Sequence, residues 1–531
     1  MRGFCRFISM MAAIILLVGV AWADASGTVA GAGRWKPEIS LPSLIGDHMV
    51  IQRDMPAPVW GKTVPKARVT VKIGEHTART RADADGRWQV EVGPLGAGGP
   101  YEMTIGVRRS KAVVSDILAG DVWVCSGQSN MQWPVKQSNN PDEEIRNASH
   151  PAIRLYTVER TVSGEPLEGC KGQWTICSPE TIPDFSAVAY YFGRRLQEHL
   201  GVPIGLVNTS WGGTPAEAWT SMPTLQANPE FAPILQRWEE NLRNYPAAKA
   251  EYDEAMEEWQ KAAEAAKAKG EPEPRRPGAP MGPDHPWRAA GLYNGMIAPL
   301  IPFGISGAIW YQGESNAGRA YQYRSLFPAM IMDWRKNWGQ GDFPFFFVQL
   351  ANFMETKEDA SAGSAWAELR EAQTMTLSLP KTGMAVIIDI GDANDIHPRN
   401  KQDVGARLAQ SAFKVAYGID CAYEGPLYES MRVDGGAIRV KFRNTFGGLK
   451  NNNAPNRLRG FALAGADKNF HWANATIEGD EVVVSTPDVA QPVAVRYAWA
   501  DNPICDLYNG AGLPASPFRT DDWPGVTMNE K

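Results

Sequence analysis

The sequence predicts an α/β fold: a parallel sheet flanked by helices, with accessory antiparallel β domains at both ends. Three observations predict it. From about residue 116 to 417, short apolar runs alternate with amphipathic helical segments, the pattern of strands whose crossovers cover a parallel sheet. Before and after that region the runs become short, alternate with period two and are separated by Gly, Asp and Pro, as in antiparallel sheets. Several apolar runs of the middle region also end in Gly next to Ser, Asn or Thr, where an open α/β sheet leaves its crevice.

Taken in order, Arg2 and Arg6 precede an apolar run from Met10 to Val20, and Ala21-Trp22-Ala23 supplies small residues for cleavage. Residues 1–23 therefore read as a secretory signal, too short to span a membrane, and predict a secreted or periplasmic protein. Residues 24–115 predict a β-sandwich-like domain, with strands at Ala67–Ile73 and Arg87–Val92. Residues 116–417 carry the α/β region, with helices over Ser186–Leu200, Gln322–Trp338, Ser364–Leu379 and Asp403–Val415. Within it, 228–286 reads as an insertion. Asn228–Lys269, rich in Ala, Glu and Lys, predicts a helical hairpin or one long surface helix, and Gly270–Pro286 a loop. A solvated insertion and a lid over a site are both open readings. Residues 418–531 predict a second β domain, with strands at Ala437–Phe442, Ala473–Ile477, Glu481–Ser485 and Val493–Ala498.

A net charge of −6 argues against a nucleic-acid partner, which wants a basic face. The 19 Trp suit a sugar-facing surface, although most are expected in the core. Cleavage of the signal removes Cys5 and leaves Cys125, Cys170, Cys177, Cys421 and Cys505, an odd number. At least one free thiol follows, and Cys125, inside an apolar strand, is the candidate. Cys170 with Cys177, and Cys421 with Cys505, are conceivable pairs that sequence cannot confirm. No His-x-x-x-His or Cys-x-x-Cys spacing occurs, so neither a metal nor a cofactor is expected.

The chemistry-bearing segments lie at strand ends. Asp121–Met131 is an apolar run that breaks at Gly127 and delivers Ser129 to the following turn. Such a serine is a candidate nucleophile, although Gly-Gln-Ser-Asn is also ordinary turn and cap chemistry. Ile204–Ser210 ends at Gly212-Gly213, and Ile305–Trp310 runs into Tyr311-Gln312-Gly313-Glu314-Ser315-Asn316. Each offers a closely approaching backbone N–H or a side-chain amide, the parts of an oxyanion hole. Met384–Ile388 leads into a loop with Asp389, Asp392, Asp395 and His397, the one histidine of seven with strand-end placement. A general base belongs there.

These segments, in this order, resemble the sialate O-acetylesterase family of the SGNH hydrolase superfamily. The resemblance rests on Cys-Ser-Gly-Gln-Ser-Asn-Met (125–131), Asn-Thr-Ser-Trp-Gly-Gly-Thr (208–214), Leu-Tyr-Asn-Gly-Met-Ile-Ala-Pro-Leu (292–300), Trp-Tyr-Gln-Gly-Glu-Ser-Asn (310–316), Asp-Ile-His-Pro (395–398) and Gly-Leu-Pro-Ala-Ser-Pro-Phe-Arg-Thr-Asp (512–521). It implies an SGNH-type, flavodoxin-like sheet, Ser129 as nucleophile, His397 as base, and the Ser129 and Gly212 amides with Gln312 as oxyanion donors. The superfamily usually places its aspartate three residues before the histidine, where this chain has Asn394. Asp395 is the preferred substitute, with Asp392 or a main-chain carbonyl as alternatives. The resemblance further implies an O-acetylated carbohydrate substrate, first of all a 9-O-acetylated sialic acid. An acetylated plant polysaccharide of xylan or xyloglucan type, or a non-catalytic carbohydrate-binding role, are the alternatives.

Overall fold

The structure is a computed structural model that describes residues 38–452 and 457–530. The expected signal, residues 1–23, and Cys5 lie outside the described residues.

At its centre is a sheet in the order β7 (Thr382–Ala385), β6 (Phe345–Val348), β5 (Gly307–Tyr311), β1 (Ser110–Gly127), β4 (Ile204–Ser210), β2 (His150–Thr157), β3 (Trp174–Cys177). Every neighbouring pair is parallel except β2 with β3. The inner strands β4, β5 and β6 are buried along their whole length, as continuous apolar runs under helices must be. Register aligns the carboxyl ends of three strands: Gly127 sits opposite Ser210 on one side and Tyr311 on the other. The turns that follow these strands therefore start level with one another, and the site forms there.

Helices α2 (Ala187–Leu200) and α6 (Lys401–Val415) pack together, as do α4 (Ala320–Trp338) and α5 (Ala365–Met375). Three of the four begin where a polar side chain caps a free N–H. Ser186 Oγ accepts from Ala189 N at 3.2 Å, Ser364 Oγ from Ala367 N at 2.9 Å and Asn400 Oδ1 from Asp403 N at 3.1 Å. The α2–α6 contact is close because Gly405 lacks a side chain; a Cβ there would stand 2.6 Å from Tyr191 Cβ.

Antiparallel sheets flank this core. At the N-terminal side Arg68–Ile73 pairs with His76–Arg81 and with Gly98–Val107, and Gly98–Val107 pairs with the first half of β1. One continuous strand thus runs through the boundary expected at 115/116 and joins the antiparallel region to the parallel sheet. At the C-terminal side the four strands Leu427–Asp434, Ala437–Arg443, Glu481–Ser485 and Asn474–Glu478 form one antiparallel sheet, and Phe470–Trp472, Phe461–Ala464, Ala494–Tyr497 and Phe518–Arg519 another. Arg370, fully buried in α5, fastens this region to the core by donating to Leu350 O, Ala351 O, Ala500 O and Asp501 O at 2.7–2.9 Å.

The expected insertion contains a single helix, α3 (Ala232–Lys269), rather than a hairpin. Pro246 lies inside it without ending it, and the stop comes at Gly270, whose φ of 70° suits a residue without Cβ. Only Ile234, Trp238 and Ala266 of α3 are buried, Leu235 and Leu242 pack partly on the core, and much of the remaining surface is exposed. Trp259 Nε1 donates to Pro274 O at 2.8 Å, folding the Pro-rich segment back along the helix.

All five cysteines of the described residues are free, which corrects both conceivable disulfides. Cys177 stands opposite His150, at the far end of a ladder that pairs Trp174 with Tyr156, while the Cys170 thiol is 3.4 Å from Tyr156 Oη. Strand geometry keeps these two apart. Cys421 Sγ faces Gln410 O in α6, whereas Cys505 is packed near Asp389 and Arg370. Burial pushes the Cys177 and Cys505 thiols up to about 12.

Candidate active site

Gly127 terminates β1 with a φ of 138°, and a Cβ at this position would fall 2.2 Å from Tyr311 O. Only glycine lets the chain leave the strand so close to β5. Gln128 follows, its N–H on Tyr311 O at 2.9 Å and its Oε1 accepting from Ser315 N at 3.2 Å. These contacts set the direction of the one-turn helix α1 (Ser129–Gln132), whose first residue is the candidate nucleophile.

Ser129 Oγ lies 2.8 Å from His397 Nε2, across 268 residues of sequence. His397 arrives from the loop after β7, which consecutive carboxylates shape. Asp389 is clamped by Arg407 at 2.6 and 2.8 Å, Asp392 Oδ1 accepts from Asn394 N at 2.8 Å, and Asp395 Oδ1 accepts from His397 N at 2.8 Å. The last two are Asx turns, which bend the loop back toward Ser129. The strand itself is shorter than the apolar run suggests and stops at Ala385. Trp133, one residue past α1, stacks on the imidazole with centroids 4.9 Å apart and planes 15° from parallel.

Of the carboxylates weighed as third member, Asp395 is the one that reaches the imidazole. Its Oδ1 is 3.6 Å from Nδ1, a charge contact longer than a hydrogen bond. Asp392 is occupied within its own turn. Burial is the first cause holding the His397 imidazole below its ordinary value; the Lys401 charge adds to it and Asp395 opposes it. A neutral imidazole can accept a proton from the Ser129 hydroxyl.

Gly212 is close to Ser129: a Cβ on it would be 3.3 Å from Ser129 Cβ. Its N–H donates to Gln132 Oε1 at 2.8 Å. Gln312, in contrast, is held by core residues. It is fully buried, its Nε2 donates to Asn316 Oδ1 at 2.6 Å and Thr214 O at 3.3 Å, and its Oε1 accepts from Tyr323 Oη at 2.9 Å. Both Gln312 amide hydrogens thus have acceptors in the core, and an oxyanion role for Gln312 requires their release, as the Gly212 N–H must leave Gln132 Oε1. Asn316 and Asn130 are equally engaged, with Glu217 and with Glu314.

Sequence reasoning missed Gln132, Trp133 and Lys401. Gln132 is three residues after Ser129 on one helical turn, so its spacing was a usable signal. Trp133 and Lys401 carry no local pattern that marks them. Among the described residues no group of three or more His, Cys, Asp or Glu is placed to hold a metal ion, and no helix is long and apolar enough to cross a membrane.

Residues 119–270 and 284–414 match the family described as carbohydrate esterase, sialic acid-specific acetylesterase. The chain belongs to this family. Sialic acid-specific acetylesterases of this kind are carboxylic ester hydrolases, and the activity of this one is removal of O-acetyl groups from carbohydrates. Among similar proteins, the sialate O-acetylesterase of Mus musculus is 32% identical over 90% of this chain and 93% of its own length. That of Homo sapiens is 31% identical over 97% of this chain and 98% of its own length. A carbohydrate acetylesterase from Xanthomonas citri, solved as a crystal structure, is 38% identical with a TM-score of 0.78, covering 92% of this chain and 100% of that one. The family segment ends at 414, so it holds Ser129, Gly212 and His397 and leaves the C-terminal β sheets outside.

Proposed function

We propose that this esterase is a sialate 9-O-acetylesterase that works by nucleophilic catalysis from Ser129. The observation that carries the mechanism is the 2.8 Å contact between Ser129 Oγ and His397 Nε2 at the carboxyl edge of the parallel sheet. His397 takes the hydroxyl proton as Ser129 attacks the acetyl carbonyl, and the oxyanion forms beside the Ser129 and Gly212 amides. In that step the oxyanion replaces Gln132 Oε1 as the acceptor of the Gly212 N–H. His397 then hands the proton to the departing sugar oxygen, leaving acetyl-Ser129. A water deprotonated by His397 releases acetate and restores the serine. Asp395 contributes charge beside Nδ1.

The choice of sugar is supported by the names of the mouse and human relatives. Half-exposed Trp211, whose backbone N–H donates to Gly127 O and which precedes Gly212, offers an aromatic surface for a pyranose beside the Ser129 turn. The charged and apolar pattern of residues 1–23 supports export.

The test sets 9-O-acetylated sialic acid against acetylated xylan with the wild-type protein, Ser129→Ala and His397→Ala. Release of acetate from the sialic acid by wild type alone is expected. Turnover confined to xylan would overturn the substrate, and full activity in folded Ser129→Ala would overturn the nucleophile.

A further inference from the structure

Lys401 is the first residue of α6 and is fully buried. An ammonium there is disfavoured twice, by loss of water and by the positive end of the helix dipole. What holds it is a chain of contacts beneath the Ser129–His397 pair. Lys401 Nζ donates to Asn130 Oδ1 at 2.5 Å, and Asn130 Nδ2 donates to Glu314 Oε1 at 2.6 Å and to Ile396 O at 3.0 Å. Asn130 directly follows Ser129, and Ile396 directly precedes His397. The ammonium also faces two rings, 5.8 Å from the Trp133 centroid and 5.3 Å from that of Tyr311, and Trp133 is the ring stacked on His397.

The charged groups that face His397 are Asp395 from its own loop and Lys401 from α6. Those that face Lys401 are Glu314, from the segment after β5, and Asp395. Glu314 is a weak counterion: burial raises its carboxyl, and its Oε2 is buried without a hydrogen-bond partner. Burial likewise brings the Lys401 ammonium down to about 7.

We propose that Lys401 is a positioning residue for acyl transfer, tying the Ser129 turn to the His397 loop through Asn130 and keeping the imidazole unprotonated by its charge. This rests on the Ser129–His397 reading above. A cation beside an imidazole disfavours the imidazolium, so removing it makes His397 easier to protonate and moves the acidic limb of the rate profile to higher pH.

The experiment measures kcat/KM against pH with 4-nitrophenyl acetate, whose own charge does not change in the range. Lys401→Gln keeps a donor for Asn130 Oδ1 and drops the charge, whereas Lys401→Arg keeps the charge. The Gln variant is expected to move the acidic limb to higher pH, and the Arg variant to leave it near wild type. A Gln variant with an unmoved limb, whatever its kcat, overturns the proposal. An NMR titration of the His397 ring in the unaltered protein needs no variant to fold: titration at or above the ordinary 6.5 also overturns it. Ser129→Ala and His397→Ala run in the same assay, and wild-type turnover in either marks failure of the underlying mechanism rather than of the Lys401 assignment.

Discussion

Asp395 Oδ1 stands 3.6 Å from His397 Nδ1, while the same oxygen accepts the His397 backbone N–H at 2.8 Å. The carboxylate shapes the loop first and touches the imidazole only through its charge. Where an aspartate bonds Nδ1 directly, replacing it with asparagine typically costs about 10⁴ in turnover. Asp395→Asn is expected to cost only about tenfold, since an amide oxygen can still accept from the backbone N–H. Asp395 pulls the imidazole upward, so its removal lowers the His397 value and moves the acidic limb of kcat/KM to lower pH. A loss of several orders of magnitude would mean that the carboxylate closes onto Nδ1 when substrate binds.

Gly212 is the second position where geometry sets the expected outcome. A methyl group there meets Gln132 Oε1 at 3.1 Å and Ser129 Cβ at 3.3 Å, tighter than ordinary contact on both sides. Gly212→Ala should displace its amide from the serine and lower kcat by roughly a hundredfold, the size seen for loss of one oxyanion donor. KM should change less, because the charge exists only in the transition state. Steady-state kinetics on acetyl ester would detect this, and an unchanged kcat would remove the Gly212 amide from the mechanism.

Gln312→Ala should behave in the opposite way. Truncation leaves the buried Tyr323 hydroxyl without its acceptor, while Asn316 Oδ1 keeps the Ala216 N–H. An unpaired buried polar group costs about 1–3 kcal/mol. Lower resistance to denaturant, with kcat within about tenfold of wild type, is the expected result. Unaltered stability with a hundredfold lower kcat would assign Gln312 to the oxyanion hole.

The contrast between these glycine and glutamine positions shows what the sequence made legible. Strand ends, the serine turn and the histidine loop are readable because apolar runs and the residues that break them are local signals, and the capping residues Ser186 and Ser364 stand where helix starts are expected. The direction of an amide side chain is not local. Gln312 and Gln132 are equally polar and equally near a strand end or serine, and which one meets the Gly212 N–H depends on Tyr323, Asn316 and Thr214 filling the space around the other. Lys401 was invisible for a similar reason: a lysine just before the helix expected from Asp403 reads as solvated, and only the tertiary approach of Asn130, Trp133 and Tyr311 buries it. The disulfide expectation failed because cysteine spacing carries no information about which end of a hairpin each thiol occupies.

Glu424 gives a stability prediction independent of the site. It is buried after α6, accepts from Asn444 Nδ2 at 3.0 Å, and burial raises its carboxyl from 4.5 to about 7. Between those two values the folded protein holds more protons than the unfolded chain at this position, so stability falls as pH rises through the window and the loss is complete above about 7. The shift corresponds to on the order of 3 kcal/mol. Glu424→Gln resembles the protonated acid at every pH and removes this dependence. Denaturant midpoints of wild type and variant should therefore nearly coincide at pH 4.5 and diverge by pH 8, with the variant the more stable. Parallel curves across that range would show that Glu424 titrates at its ordinary value, with water reaching the carboxylate in the folded protein.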